Sequence, residues 1–476
     1  MPFAQSTERH TLAFRFRPET GSRVALLVRA DARAVAHQVL VRVETTDAFA
    51  DVLLADRLAR APMSAVDHAL ATRLVYGTLA WQGRLDHHLK GLVRMPLADL
   101  DPPVRAALRL GLYQLLFLDR VPAYAAVHAS VGLARAAAGA GAAGLVNAVL
   151  RRAAGAGVGG LPLPNPAAEP LERLAIEWSH PRWLVERWAA ELGRDELPRL
   201  LAANNVRGPS AVRANRLRTS RDALRAELAA ARVAARPSVW APDGLVIEDG
   251  AAGLRALPAW REGRLAFQGE ASQLVTTLLA LAPGDRLLDA CAAPGGKAVQ
   301  AAALLEGHGL VVALDRRPGG VRRVRDEAVR LGAACVEAAV GDARRPPFAR
   351  PFDAVLVDAP CSGLGTLRRH PELRWRRRAE DIARLAALQR EILAGVAPLV
   401  RPGGLLVYAV CTLAREENED VVEWFRAAQP AFVLERPALP PDLVPPAGYL
   451  RTLPHRHGLD GFFAARLRLD SRAALR

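Results

Sequence analysis

Arg286-Leu287-Leu288-Asp289-Ala290-Cys291-Ala292-Ala293-Pro294-Gly295-Gly296-Lys297 is a short apolar run that stops at an acid and passes through a proline and a glycine pair into a helical segment. Strand, turn and helix in that order form the first unit of a doubly wound α/β sheet. Four further apolar runs follow, at residues 310–315, 335–341, 354–358 and 405–410. Each ends in a cluster of Asp, Gly, Pro or Cys. Ligands in such folds bind outside the carboxyl ends of the strands, so these clusters are expected to meet in one crevice.

Upstream of this unit the periodicity changes. Between residues 31 and 152 apolar side chains recur at three- and four-residue spacing, as in Val35, Val39 and Val43, or Leu108, Leu112, Leu115 and Leu116, which predicts an all-helical domain. Pro102-Pro103 and Pro122 mark helix starts or breaks within it. We place the helical domain at 31–155 and a Gly/Pro-rich linker at 156–170. A small α+β connecting domain is expected over 171–265, with helices around Trp183 to Leu201, an alternating run at 211–217 and a helix from Ser220 to Ala231. The α/β domain is placed at 266–470. Residues 1–30 lack an apolar core with a small-residue cleavage site and read as a disordered extension or an overlong gene start.

Composition narrows the function classes. With 64 Lys plus Arg against 49 Asp plus Glu, the chain carries a formal charge of +15, which reads first as affinity for a polyanion. Only Lys90 and Lys297 are lysines, a bias in keeping with a G+C-rich genome. Four cysteines without a Cys-x-x-Cys pair argue against a disulfide scaffold and a structural zinc site, and point to a reducing, cytoplasmic compartment with no metal. The longest apolar stretch, residues 131–150, is interrupted by Arg135, so no membrane span is expected.

The loop 289–297 is not a phosphate-binding P-loop, which would need glycine at Cys291 and a hydroxyl at Ala298. Gly-x-Gly-x-x-Gly occurs at 139–144 and 155–160, but neither match follows a strand, and both read as chance in Ala/Gly-rich sequence. Asp315, at the end of the second apolar run, is placed to accept hydrogen bonds from ribose hydroxyls, and Asp342 after the third to bind an adenine amino group. Each acid taken alone also reads as a helix N-cap. Cys361 and Cys411 each stand where an apolar run breaks; taken alone, buried packing is the commoner fate of such thiols.

Asp289 through Lys297, Asp358 through Thr366, and Cys411-Thr412 followed by Glu416-Glu417-Asn418-Glu419 together resemble the RNA cytosine-5 methyltransferase (Nol/Nop/Sun) family. Residues 267–273 and Asp460-Gly461-Phe462-Phe463 resemble its flanking motifs. Leu74-Val75-Tyr76-Gly77-Thr78 and residues 146–152 are similar to the NusB-like RNA-binding domain carried by bacterial small-subunit ribosomal RNA methyltransferases. The resemblance implies an all-α NusB-like domain, a small α+β domain and a Rossmann-like α/β methyltransferase domain, acting as a monomer in the cytoplasm on 16S ribosomal RNA. It implies S-adenosylmethionine as cofactor, held by Cys291, Ala292, Ala293, Pro294, Gly295, Gly296, Lys297, Asp315, Asp342 and Asp358. It also implies Cys411 as the thiolate that adds to cytosine carbon 6, Asp358 as the contact to the base, and Cys361 as the residue that releases the product. Cys291 and Cys335 are assigned to packing. Ala409-Val410 stand where hydroxyl residues are usual, and Gly269 where an acid is common.

Arg368-Arg369-His370 and Arg374-Trp375-Arg376 follow the Cys361 motif, and Arg368, Arg369, Arg374 and Arg376 are expected to contact RNA phosphates. The helical domain is expected to add affinity away from the chemistry. Two alternatives remain: the same reaction on transfer RNA, which the catalytic motifs do not separate from the ribosomal one and only the NusB-like resemblance disfavours, and a non-enzymatic RNA-binding assembly or antitermination factor, against which Cys361, Cys411 and Asp358 argue.

Overall fold

Pro102 opens one central helix of the N-terminal domain and Pro122 immediately precedes the other, positions where a missing N–H breaks no intrahelical bond. The computed structural model describes residues 31–61, 63–157 and 160–472, so the extension expected over 1–30 lies outside the described residues. Among them six α-helices, Ala32–Thr45, Ala50–Arg60, Ala65–Ala80, Gln82–Leu92, Pro102–Phe117 and Ala123–Ala156, build the helical domain. Asp31 and Ser64 cap two of them by accepting from Arg33 N–H and Asp67 N–H. Val35, Val39, Val43, Leu108 and Leu112 are buried in one core, as their spacing predicts. Ala123–Ala156 is long and apolar enough to cross a membrane by length and composition. It is interrupted by non-helical dihedrals at Gly139, and Ser130, Ala134, Val146 and Leu150 face the domain core. The first Gly-x-Gly-x-x-Gly match therefore lies on a helix, away from any strand.

The segment after the linker divides in two. Helices Pro170–Glu177, Arg182–Leu192 and Leu197–Asn205 pack Leu184, Trp188 and Leu201 against Leu364, Leu367, Leu373 and Leu413 of the C-terminal domain. The following residues form a four-stranded antiparallel sheet of β1 (Ser210–Ala214), β2 (Ala235–Pro237), β3 (Gly244–Ile247) and β4 (Leu265–Phe267), in the order β2-β3-β1-β4. Helix Arg221–Ala230, capped by Ser220, covers one face with Leu224 and Leu228.

In the C-terminal domain β5 (Arg286–Asp289), β6 (Leu310–Asp315), β7 (Val336–Val340), β8 (Phe352–Asp358) and β9 (Val400–Val410) are parallel. β10 (Phe432–Glu435), β11 (Leu450–Thr452) and β12 (Phe462–Leu469) complete the sheet, whose order is β10-β12-β9-β8-β5-β6-β7 with β11 on β12. β12 runs antiparallel to β9. Apolar side chains fill both faces, Leu287, Ala313, Leu356 and Val407 on one and Leu288, Leu314, Val357 and Tyr408 on the other. Near-continuous apolar strands are what a sheet covered on both sides requires. The strand order turns at β5, with β6 on one side and β8 on the other, and that switch opens a crevice at their carboxyl ends.

Candidate active site

Asp289 and Asp358 end the two strands at the switch, and Lys297, in the first turn of helix Gly296–Leu304, reaches between them. Its ammonium lies 2.6 Å from Asp358 Oδ2 and 5.7 Å from the Phe462 ring centroid. Burial alone would lower the Lys297 pKa, but Asp358 outweighs it and the net direction is upward. The lysine expected in the cofactor loop therefore also forms half of an ion pair with the residue expected to hold the base.

Asp289 is only 1% exposed, and neither carboxylate oxygen has a hydrogen-bond partner among the described residues. Burial, and then repulsion from Asp358, push its pKa up to about 7. Gly295 sits at φ +112°, where a side chain would be strained. Gly320 is a second close approach: a Cβ there would stand 2.8 Å from Asp315 Oδ1 and 2.9 Å from Ala293 Cβ. Asp315 accepts from Ala293 N–H at 3.1 Å and from Arg317 N–H at 2.9 Å, which fixes the acid and the loop to each other. Asp342 is at the expected strand end, but Arg344 holds both its oxygens, at 3.1 and 2.7 Å, and lowers its pKa to about 2. Burial pushes the Cys291 thiol well up, which leaves it a neutral packing group.

Cys361, just beyond β8, and Cys411, at the end of β9, converge with Sγ atoms 3.4 Å apart. Cys411 N–H also points at Cys361 Sγ, at 3.4 Å. The hydrogen bond shared with Cys411, followed by burial, pushes the Cys361 thiol well above the usual range. The two cysteine loops are tied together from below. Glu417 accepts from Ser362 N–H at 2.9 Å and from Gln389 Nε2 at 2.9 Å, while Ser362 Oγ and Thr412 Oγ1 are 2.7 Å apart. That hydroxyl pair lies beside Cys411, where Ala409 and Val410 supply none. Gly365 accepts from Gly461 N–H at 2.7 Å, and a Cβ on Gly365 would meet Gly461 O at 2.0 Å, so both glycines serve close backbone packing behind Cys411.

A cavity of about 630 Å³ covers Asp315, Asp342, Cys291, Cys361 and Cys411. A second, of about 400 Å³, covers Asp289, Lys297, Gln268 and Phe462. They share Ala293, Asp358, Thr366 and His370, so one crevice with two lobes spans the acids and the thiols. The lining fits a cationic nucleoside such as S-adenosylmethionine: an unpartnered buried carboxylate for positive charge, Asp315 for hydroxyls, and glycines where backbone and ligand must approach. Among the described residues no group of three His, Cys, Asp or Glu side chains could hold a metal.

The arginines depart from expectation. Arg374 is fully buried; its guanidinium donates to Ala80 O, Ser179 O and Asn205 Oδ1 at 2.7–3.1 Å and to Asn204 O at 3.2 Å. Arg376 donates to Val43 O, Thr46 O and Ala48 O at 2.7, 3.1 and 2.8 Å. Both are struts between domains, and Arg374, fully buried, offers no free face to a phosphate. Arg368 donates to Val206 O at 3.1 Å and Gly458 O at 2.8 Å, and Arg369 pairs with Asp460. Arg369 still lines the smaller lobe of the crevice. Sequence reading missed Gly320 and Gln389 as parts of the site; it placed Asp289 at a strand end within the cofactor motif but gave it no role of its own.

Residues 276–468 match the family described as 16S rRNA methyltransferase RsmB/F, residues 30–155 the NusB family, and residues 180–252 the ferredoxin-like domain of RsmF/B-like methyltransferases. A probable ribosomal RNA small subunit methyltransferase B of Bacillus subtilis is 35% identical over 451 residues, 92% of this chain and 98% of the relative. The ribosomal RNA small subunit methyltransferase B of Pseudomonas putida is 38% identical over 84% of this chain and 90% of its own. Among solved structures, PH0851 superposes with a TM-score of 0.81 at 30% identity, covering 92% of this chain and 98% of that one. A methyltransferase homologue from Pyrococcus horikoshii gives 0.56 at 26% identity, over 64% of this chain and 99% of its own.

Proposed function

The chain belongs to the ribosomal RNA small subunit methyltransferase B family, and on that premise we propose that it methylates carbon 5 of a cytosine in 16S ribosomal RNA through a covalent adduct to Cys411. The observation that carries the covalent reading is the pair of thiols 3.4 Å apart at the crevice, beside the Lys297–Asp358 ion pair. S-adenosylmethionine, when bound, supplies the methyl group; Asp289, Asp315, Asp342 and the 291–297 loop are the residues that would hold it.

Cytosine carbon 5 is a weak nucleophile while the ring is aromatic. The Cys411 thiolate attacks carbon 6, forming the sulfur–carbon bond and moving an electron pair toward ring nitrogen 3 and carbon 5. Asp358 meets the nitrogen 3 edge and the exocyclic amine; a proton shared between its carboxyl and nitrogen 3, with Lys297 2.6 Å away, neutralises the charge that develops there. Carbon 5 then takes the methyl group and still carries its hydrogen. Solvent water entering the open crevice takes that proton, and the electron pair returns to the carbon 5–carbon 6 bond and expels the Cys411 thiolate. Cys361 assists this last step: its thiol touches Cys411 Sγ and is held in the form that can donate to a departing thiolate. Glu417, Gln389, Ser362 and Thr412 keep the two sulfurs in register. The target base must leave its stack to enter the crevice, which costs least in an unpaired loop.

The test is methyl transfer from labelled S-adenosylmethionine to unmodified 16S ribosomal RNA, with transfer RNA as a parallel substrate and mass mapping of the product. Label at a ribosomal cytosine is the expected result. Label confined to transfer RNA, or none on either, refutes the reading.

A further inference from the structure

The helical domain, expected to add affinity away from the chemistry, reaches the crevice. Phe49, Asp51 and Val52, at the start of helix Ala50–Arg60, line the larger lobe of the crevice together with Cys361 and Cys411. The helical domain is fastened there by the short helix Leu373–Arg376 and the residue before it, which follow the Cys361 motif. Glu372 accepts from Ala50 N–H at 3.0 Å, and Arg376 binds the carbonyls of Val43, Thr46 and Ala48. Trp375 packs on Gly83, where a Cβ would lie 2.4 Å from its ring. His370 meets the Phe49 ring edge-on at 5.3 Å between centroids, and its Nδ1 stands 4.0 Å from Asp51 Oδ1. His370 also borders both lobes.

What this wall presents is unusual for a surface that only joins domains. Phe49 keeps 39% and Val52 63% of its surface exposed at the rim. The same lobe is bordered by Arg316, Arg317 and Arg377. Aromatic and apolar side chains interleaved with cations match a single strand with stacking bases and a phosphate backbone, and match a small cofactor less well.

We propose that Phe49 and Val52, backed by His370, seat the RNA strand that flanks the target cytosine, so that the helical domain positions substrate at the reacting centre. This rests on the functional reading above and deepens it. Phe49 and Val52 are positioning residues: they touch the strand beside the reacting base and act on the chemistry through its placement.

The experiment uses the full chain carrying Phe49→Ala or Val52→Asp, with RNA and S-adenosylmethionine varied separately and the melting temperature recorded. The expected result is a fall of about tenfold in kcat/KM for RNA with each variant, the size of one lost stacking contact. KM for S-adenosylmethionine and the melting temperature should stay at wild-type values. RNA kinetics unchanged in both variants overturn the proposal. So does a raised KM for S-adenosylmethionine with RNA kinetics intact, because the wall would then belong to the cofactor. Should Phe49→Ala lower the melting temperature, the more exposed Val52→Asp decides alone. The wild-type arm separates the two readings: if it transfers no methyl to ribosomal RNA, the function is wrong, whereas active wild type with unaffected variants removes only this inference.

Discussion

Asp289 carries the clearest electrostatic signature in the molecule. Its carboxyl titrates near pH 4 in an unfolded chain and at about 7 in the fold, so between those values the folded state binds the extra proton. Stability contributed by the protonated form is therefore present below about pH 4 and lost as pH rises through 7. Asp289→Asn should raise the melting temperature of the ligand-free protein by several degrees at pH 8 and change it little at pH 4. Equal effects at both values would mean the side chain stays ionised. Lys297→Met tests the other half of the cluster: losing the cation that holds Asp358 at 2.6 Å should lower kcat by about a hundredfold or more in a methyl-transfer assay. Cys361, Cys411, Asp315 and Asp358 were legible in the sequence because each closes an apolar run, and a strand end in a doubly wound sheet has one place to go. The Asp342–Arg344 clamp was not, because which rotamer an exposed arginine adopts is decided by neighbours and not by spacing.

Among elements, the stretch 368–376 is where sequence misled most. Four cations near a catalytic motif look like an RNA-binding face until the carbonyls opposite them are known. Arg374 makes its contacts with residues 169 to 294 positions away, separations no local pattern reveals. Arg374→Met should lower the melting temperature markedly, since each orphaned buried carbonyl costs about 1–3 kcal/mol. It should leave the salt dependence of RNA binding unchanged; a phosphate-contacting arginine would instead reduce the slope of log K against log salt by about 1. Gly365→Ala is a second element-level test. A Cβ there would meet Gly461 O at 2.0 Å, so β12 and the Cys361 loop would have to separate, and soluble yield or activity should collapse.

For the molecule as a whole, the three-part architecture followed from periodicity alone: helical spacing, then a mixed segment, then apolar runs alternating with helices. Its assembly did not. The helices Pro170–Glu177, Arg182–Leu192 and Leu197–Asn205 share a core with Leu364 and Leu413, and the N-terminal domain forms part of the crevice wall. Surfaces that are apolar in all three units give no sequence cue to which meets which. Charge remains the global signal, and with +15 on the chain RNA affinity should fall at least tenfold between 50 and 200 mM salt, as measured by filter binding. The central claim is the division of labour between two touching thiols, and denaturing gel analysis of protein incubated with S-adenosylmethionine and 16S ribosomal RNA tests it most directly. Cys361→Ala should accumulate an RNA-linked band stable to denaturant and Cys411→Ala should give none; the reverse pattern, or full turnover in Cys411→Ala, would contradict the account.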